Sequence, residues 1–258
     1  FGYPINMKKI CEIANKHNLI VIEDAAQSLG AQISGELTGT FGDVGVLSFN
    51  NKVIDTCGGG ALIVNNSVYK MPILDYRNSN YFLTRNSFIR LFIRSYLLSN
   101  FPYLATILSR KIKQDTVNTQ NTEIFFISLM MLNELLPHLE WILSKRKSNY
   151  ETYANYLTNS DMQKSFSSSL DYLPSYTYYT FILGNRICTK RAFLLNQLKL
   201  KGIFVSSLIN KPNIIDKNLR LPISEHLYYY SISLPTGPNC NEKDIIEISS
   251  ILNDLLSN

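Results

Sequence analysis

Residues 18–31 read NLIVIEDAAQSLGA, and residues 42–52 read GDVGVLSFNNK. The first stretch opens on an unbroken apolar run, Leu19 to Ile22, and reaches Glu23 and Asp24 at its end. Such a run is the pattern of a strand buried on both faces, as in a parallel sheet. Before it, residues 4–18 (PINMKKICEIANKHN) carry Met7, Ile10, Cys11 and Ala14 at helical spacing. Pro4 suits a first turn and Asn18 a stop. Helix followed by buried strand is half of a βαβ unit and predicts an α/β fold. In open α/β sheets the carboxyl ends of the strands face the ligand, so Asp24 is a candidate binding residue. In the second stretch Val44, Val46 and Ser48 alternate with Gly45, Leu47 and Phe49, which predicts a strand over 44–49. Lys52 follows closely, then a tight turn at Gly58-Gly59-Gly60 and a further strand in ALIVNN.

The chain has 258 residues, 45% hydrophobic and 17% charged, enough for one large domain or two smaller ones. It opens on Phe1, and no secretory signal precedes the first helical pattern, so it reads as a piece of something longer. The four cysteines (Cys11, Cys57, Cys188, Cys240) lie far apart and the three histidines are scattered. Free thiols in a reducing cytosol are expected, and no metal site. The net charge of +5 is concentrated. Seven basic residues and no acidic one lie between Tyr76 and Gln114, more than the whole surplus. The remainder is slightly acidic, which argues against nucleic acid as a partner.

Residues 77–113 combine that charge with high apolar content and suggest a helical insertion broken near Asn100–Pro102. No window of about 18 residues is free of charge, so no spanning helix is expected. Residues 124–151 predict a long helix kinked or restarted at Pro137. Beyond it, a β-like run at 176–185, an amphipathic helix at 191–203 ended by Gly202, a short strand in SISLPTGPN and a closing helix in EKDIIEISSILNDLL suggest a small α+β domain.

The blocks NLIVIEDAAQSLGA, GDVGVLSFNNK and TCGGGALIVNN (56–66) resemble the DegT/DnrJ/StrS family of sugar aminotransferases, fold-type I enzymes that use pyridoxal 5′-phosphate (PLP). The order and spacing agree over residues 1–66 apart from one position. HLEWILSKRKSNYETYANYL, FILGNRICTKRAFLLNQLKLKGIFV and SISLPTGPNCNEKDIIEIS carry weaker similarity toward the C-terminus. The resemblance implies part of a large, mixed, mostly parallel sheet domain over 1–123, with 77–113 inserted. A helical connector and small α+β domain over 124–258 would follow. It also implies that the family's first roughly 120 residues are missing.

Residue by residue, the resemblance implies that Lys52 is the catalytic lysine that bonds the cofactor and shuttles protons. Asp24 would pair with the pyridinium nitrogen, so that the ring acts as an electron sink. Ala26 would lie near the ring face and Gln27 near its O3 edge. Ser48 would donate to the phosphate, and Asn121 would reach the phosphate of a neighbouring subunit. The activity implied is transamination of a nucleotide-diphospho-keto-deoxysugar, with glutamate as amino donor, for surface polysaccharide or lipopolysaccharide. The enzyme would be a cytoplasmic homodimer, with peripheral membrane contact through 77–113 as a further reading. Retention of lysine at 52 separates the chain from the family's dehydratase branch, which has histidine there.

The sequence departs from the family in three places. Only Asn50 and Asn51 separate Phe49 from Lys52, where the family has three residues; one residue is worth about 3 Å of reach. The glycine turn reads Cys57-Gly58-Gly59-Gly60, and Glu123 stands where the family has arginine. The shortened loop and the missing N-terminal region keep a second reading open: a degenerate or truncated non-catalytic homologue acting as a binding or regulatory protein.

Overall fold

The computed structural model describes residues 1–50, 52–56, 58–70, 126–159, 162–164, 171–184, 186–203, 205 and 220–257. The expected insertion at 77–113, together with Asn121 and Glu123, lies outside the described residues. The chain divides into two compact units: Gly2–Ser144 with Ser168–Thr177, and Lys145–Ser167 with Tyr178–Asn258 and Phe1.

In the first unit, helix α1 (Met7–Lys16) begins at Asn6, whose side chain accepts the Lys9 amide at 3.1 Å and caps the helix. Met7 and Ala14 are buried. Asn18 takes a left-handed conformation (φ 52°) and turns the chain toward strand β1 (Ile22–Asp24). Two short strands, β2 (Gln32–Ile33) and β3 (Glu36–Leu37), pair with each other, and β2 pairs with β7 (Tyr172–Leu173) from much later in the chain. Strand β4 (Val44–Ser48) runs parallel to β1, and β5 (Gly60–Val64) runs antiparallel to β4, giving the order β1-β4-β5.

The expectation that the 19–22 run is buried on both faces is corrected. Ile20 is 62% and Ile22 69% exposed, and β1 alternates exposed, buried, exposed. Among the described residues β1 pairs only with β4, so its outer residues have no neighbouring strand to cover them. Gly45 is required where it stands, because a Cβ there would collide with the backbone carbonyl of Gly39.

Pro137 acts as the sequence suggested. Helix α2 (Phe126–Leu135) gives way to a 3-10 turn at Leu136–His138 and then to helix α3 (Leu139–Tyr156). A small core joins Leu29, Phe49, Val53, Ile54 and Ile142. The division between the units falls inside α3.

The second unit is built on an antiparallel sheet of β6 (Met162–Lys164), β8 (Tyr178–Leu183) and β9 (Ser231–Pro235), in the order β6-β8-β9. Residues Ser231 to Leu234 are all buried, and the Thr180 and Ser233 hydroxyls satisfy each other at 2.9 Å across the pairing. Tyr153, Phe181, Leu194, Leu198, Ile232, Leu234, Ile245 and Leu252 form the core with α4 (Arg191–Leu200) and α6 (Glu242–Ser257). Helix α6 starts on a reciprocal cap: the Asp244 amide donates to Asn241 Oδ1 at 3.0 Å, and the Asn241 amide donates to Asp244 Oδ2 at 2.8 Å. An additional helix, α5 (Pro222–Tyr230), had no counterpart in the sequence reading, because Tyr228-Tyr229-Tyr230 is a strand-favouring run. Among the described residues no helix is long and apolar enough to cross a membrane.

Candidate functional site

The carboxyl ends of β1 and β4 lie side by side because the strands are parallel. Asp24, the last residue of β1, is opposite Val46, and the Ala25 amide donates to the Val46 carbonyl at 2.9 Å. Ser48 ends β4 two residues further on, opposite Gly60 of β5. The exposed Asp24 carboxylate accepts the Ala26 amide on Oδ1 at 3.1 Å, a local turn that fixes its direction.

Ala26 and Gln27 follow in that turn, both half-buried. The Gln27 backbone is held from a distant part of the chain. Its carbonyl accepts Ser175 Oγ at 3.0 Å and Thr177 Oγ1 at 2.7 Å. These two hydroxyls lie 2.8 Å apart and are fully buried. The Gln27 side chain differs: its Oε1 is buried without a hydrogen-bond partner. A buried amide oxygen left unmatched is costly, so the site presents an acceptor that a ligand donor would satisfy.

Lys52 sits half-buried in the loop between β4 and β5. The loop closes tightly. The Thr56 amide donates to the Phe49 carbonyl at 2.8 Å, and the Phe49 amide to the Gly59 carbonyl at 3.0 Å. Thr56 Oγ1 lies 2.7 Å from the Gly58 carbonyl. Val53 and Ile54, the residues after Lys52, are anchored in the core beside Phe49. The shortened segment is therefore held at both ends by packing and hydrogen bonds. Ser48 Oγ accepts the Asn50 amide at 3.4 Å, a weak contact that leaves its proton available to another acceptor.

The structure thus gathers Asp24, Ala26, Gln27, Ser48 and Lys52 on elements of one unit, at or just beyond the carboxyl ends of two neighbouring parallel strands. Asn121 lies outside the described residues. Sequence reasoning missed Ser175 and Thr177, whose partner is about 150 positions away. It also assigned no task to Glu23 and Asp43, which hold backbone amides and, for Asp43, the Asn66 side chain as well.

The family model described as the DegT/DnrJ/EryC1/StrS aminotransferase family matches residues 1–253. The chain is 25% identical over 262 residues to a GDP-perosamine synthase of Escherichia coli O157:H7, a match covering 100% of this chain and 64% of that protein. It is 26% identical over 260 residues to a UDP-N-acetyl-3-dehydro-alpha-D-glucosamine 3-aminotransferase of Acidithiobacillus ferrooxidans, covering 98% and 61%. The structure resembles Helicobacter pylori PseC, an aminotransferase involved in the biosynthesis of pseudoaminic acid. The TM-score is 0.71 at 18% identity, over 98% of this chain and 64% of that one. That likeness bears out the expected fold. The chain spans less than two thirds of the length of each of these relatives.

Proposed function

Because the chain belongs to the DegT/DnrJ/EryC1/StrS aminotransferase family, we propose that it forms the greater part of a PLP-dependent transaminase acting on a nucleotide-linked keto-sugar. The names of its relatives, which include a GDP-sugar and a UDP-sugar enzyme, support that substrate class. Glutamate as donor, a homodimer with Asn121 at the neighbour's phosphate, and a cytoplasmic setting belong to the same reading. So do the split at 123/124 and peripheral membrane contact through 77–113.

The observation that carries the proposal is the arrangement of Asp24, Gln27, Ser48 and Lys52, with Gln27 Oε1 buried and unmatched. These residues fit PLP. Asp24 would hold its ring nitrogen, Gln27 its phenolic edge and Ser48 its phosphate. Bound there, PLP would supply an electron sink for the carbon that loses or gains a proton. The chain's own residues do the rest. Asp24 would hold the ring nitrogen's proton in a charge-assisted bond. Ser48 orients the phosphate end. Lys52 is the amine that would hold the cofactor's aldehyde end and move the proton at the reacting carbon. The Thr56–Phe49 bond closes the loop that carries Lys52 and limits where its backbone can stand.

The test is chemical. The full protein is mixed with PLP, reduced with borohydride and digested, and the peptide carrying Lys52 is weighed. A pyridoxyl adduct on Lys52, absent in Lys52→Arg, is the expected result. Reduction that labels no lysine, or labels another equally, overturns the proposal. That negative result favours the second reading, a non-catalytic homologue, which the two-residue spacing between Phe49 and Lys52 supports.

A further inference from the structure

We infer that Glu23 and Asp43 are positioning residues whose carboxylates lock β4 in register against β1, and so set where Ser48 stands relative to Asp24; the inference rests on the function proposed above. Glu23 and Asp24 are consecutive in a strand, so their side chains leave opposite faces. Asp24 is exposed at the site and Glu23 is buried on the other side. The Glu23 carboxylate bonds backbone amides. One of its oxygens, Oε2, accepts the amide of Phe41 at 3.0 Å and that of Gly42 at 3.5 Å. Those residues lie just before β4 begins at Val44.

Asp43 makes the reverse connection. Its Oδ2 accepts the Val21 amide at 2.8 Å, just ahead of β1, and its Oδ1 accepts Asn66 Nδ2 at 2.7 Å, just beyond β5. The Val21 amide and then the Asn66 amide hold the Asp43 carboxyl below its ordinary range. Asn65 Nδ2 closes the same knot by donating to the carbonyls of Gly39 at 3.0 Å and Gly42 at 2.9 Å. The backbone is too close for any other residue at 42, since a Cβ would sit 2.7 Å from the Val21 carbonyl. Two carboxylates and two side-chain amides therefore bind the entry of β4 to β1 and to the exit of β5.

What this knot controls is register. A slip of one residue between β1 and β4 would carry Ser48 about 3.3 Å along the strand and turn its hydroxyl to the opposite face. The ring-nitrogen and phosphate contacts would then no longer match a single rigid ligand. The apolar residues of β1 cannot prevent the slip alone, because Ile22 is mostly exposed.

The experiment uses the full protein with Glu23→Ala, Glu23→Gln, Asp43→Ala and Asp43→Asn. PLP and pyridoxal, which lacks the phosphate, are titrated by absorbance, and amide hydrogen exchange is followed across 44–48. Both Glu23 contacts fall on one oxygen, so Gln can keep both. Asp43 uses two oxygens, so Asn can keep only one acceptor. Glu23→Ala is expected to cut the preference for PLP over pyridoxal at least tenfold and to speed exchange at 46–48. Glu23→Gln should restore both, and Asp43→Asn should fall between wild type and Asp43→Ala. A Glu23→Ala protein with unchanged preference and exchange overturns the inference, as does a Gln variant as impaired as Ala. If the unmodified protein binds neither ligand, the proposed function fails; the exchange pattern of the four variants still decides the register lock.

Discussion

Asp24 stands opposite Val46 in the parallel pairing of β1 with β4, and its Oδ1 accepts the amide of Ala26 at 3.1 Å. The local bond separates structure from chemistry. An asparagine at 24 can still accept the Ala26 amide but carries no charge to hold a ring-nitrogen proton. Asp24→Asn is therefore expected to leave the unfolding midpoint within experimental error while lowering kcat/KM of the complete enzyme at least a hundredfold, in the range usual for loss of a positioned acid or base. A circular-dichroism melt beside steady-state kinetics checks both halves, and a variant that retains its activity refutes the assignment.

The β1 and β4 strands and the residues at their ends were legible in the sequence because an apolar or alternating run and the polar residue that ends it are local signals. Pro137 was legible for the same reason, since its missing amide breaks a helix wherever it falls. The exposure of Ile20 and Ile22 was not legible, because an apolar run states what a strand can bury and says nothing about what is beside it. Helix α5 was hidden by the preference of tyrosine for strands, which tertiary context overrides. The supports of the site were also invisible: Ser175 and Thr177 act on a backbone carbonyl far away in sequence, and Glu23 and Asp43 act on backbone amides and on the Asn66 side chain, partners that no local motif announces.

Ser175 and Thr177 provide a test of that hidden support. Thr177 Oγ1 is the shorter donor to the Gln27 carbonyl, but Ser175 Oγ lies 3.0 Å from the same oxygen and 3.2 Å from the Gly2 carbonyl. A single hydroxyl has one proton, so in the wild type the two share the work. In Thr177→Val the serine can turn to Gln27, and the loss should be about 1 kcal/mol. The Ser175→Ala, Thr177→Val double variant leaves that buried carbonyl without either donor and should lose more than the two single variants added together. Urea unfolding of the four proteins measures the coupling; simple additivity would contradict the shared acceptor.

Asn149 is the corresponding support in the second unit. Its Nδ2 lies 3.1 Å from each of the carbonyls of Thr236, Gly237 and Cys240, and the side chain is 1% exposed. Asn149→Ala strips donors from a buried turn and is expected to cost about 2–3 kcal/mol. Asn149→Asp should cost more, because it keeps the shape but faces the same carbonyl oxygens with an acceptor or a buried charge. Finding Asp as well tolerated as Asn would mean that the three contacts carry no weight.

The same unit should weaken in alkali, and the direction can be worked out group by group. Burial pushes the Tyr153 hydroxyl far above its ordinary value and that of Tyr179 up to about 12. Burial, with Asp244 adding to it, raises the Cys240 thiol from 9.0. For all three the folded chain keeps a proton that the unfolded chain releases. Their contribution is complete below about pH 9 for the thiol and about pH 10 for the phenols, and falls as pH rises beyond those values. Arg146 works the other way: burial lowers its guanidinium to about 10, so from there upward the unfolded chain binds the extra proton and folding gains. Burial lowers the Arg191 guanidinium as well, with the same sign. Three groups oppose two, and the thiol begins to act near pH 9, before Arg146 does, so the urea midpoint should be flat to pH 9 and then decline. Tyr153 Oη is buried without a hydrogen-bond partner, so Tyr153→Phe sacrifices no hydrogen bond at that atom while deleting the largest of the three shifts. That variant should match the wild type near pH 7 and hold its midpoint to higher pH. A wild-type midpoint that climbs between pH 9 and 11, or a Phe variant that declines in step with it, would show that these buried phenols do not govern the alkaline limit.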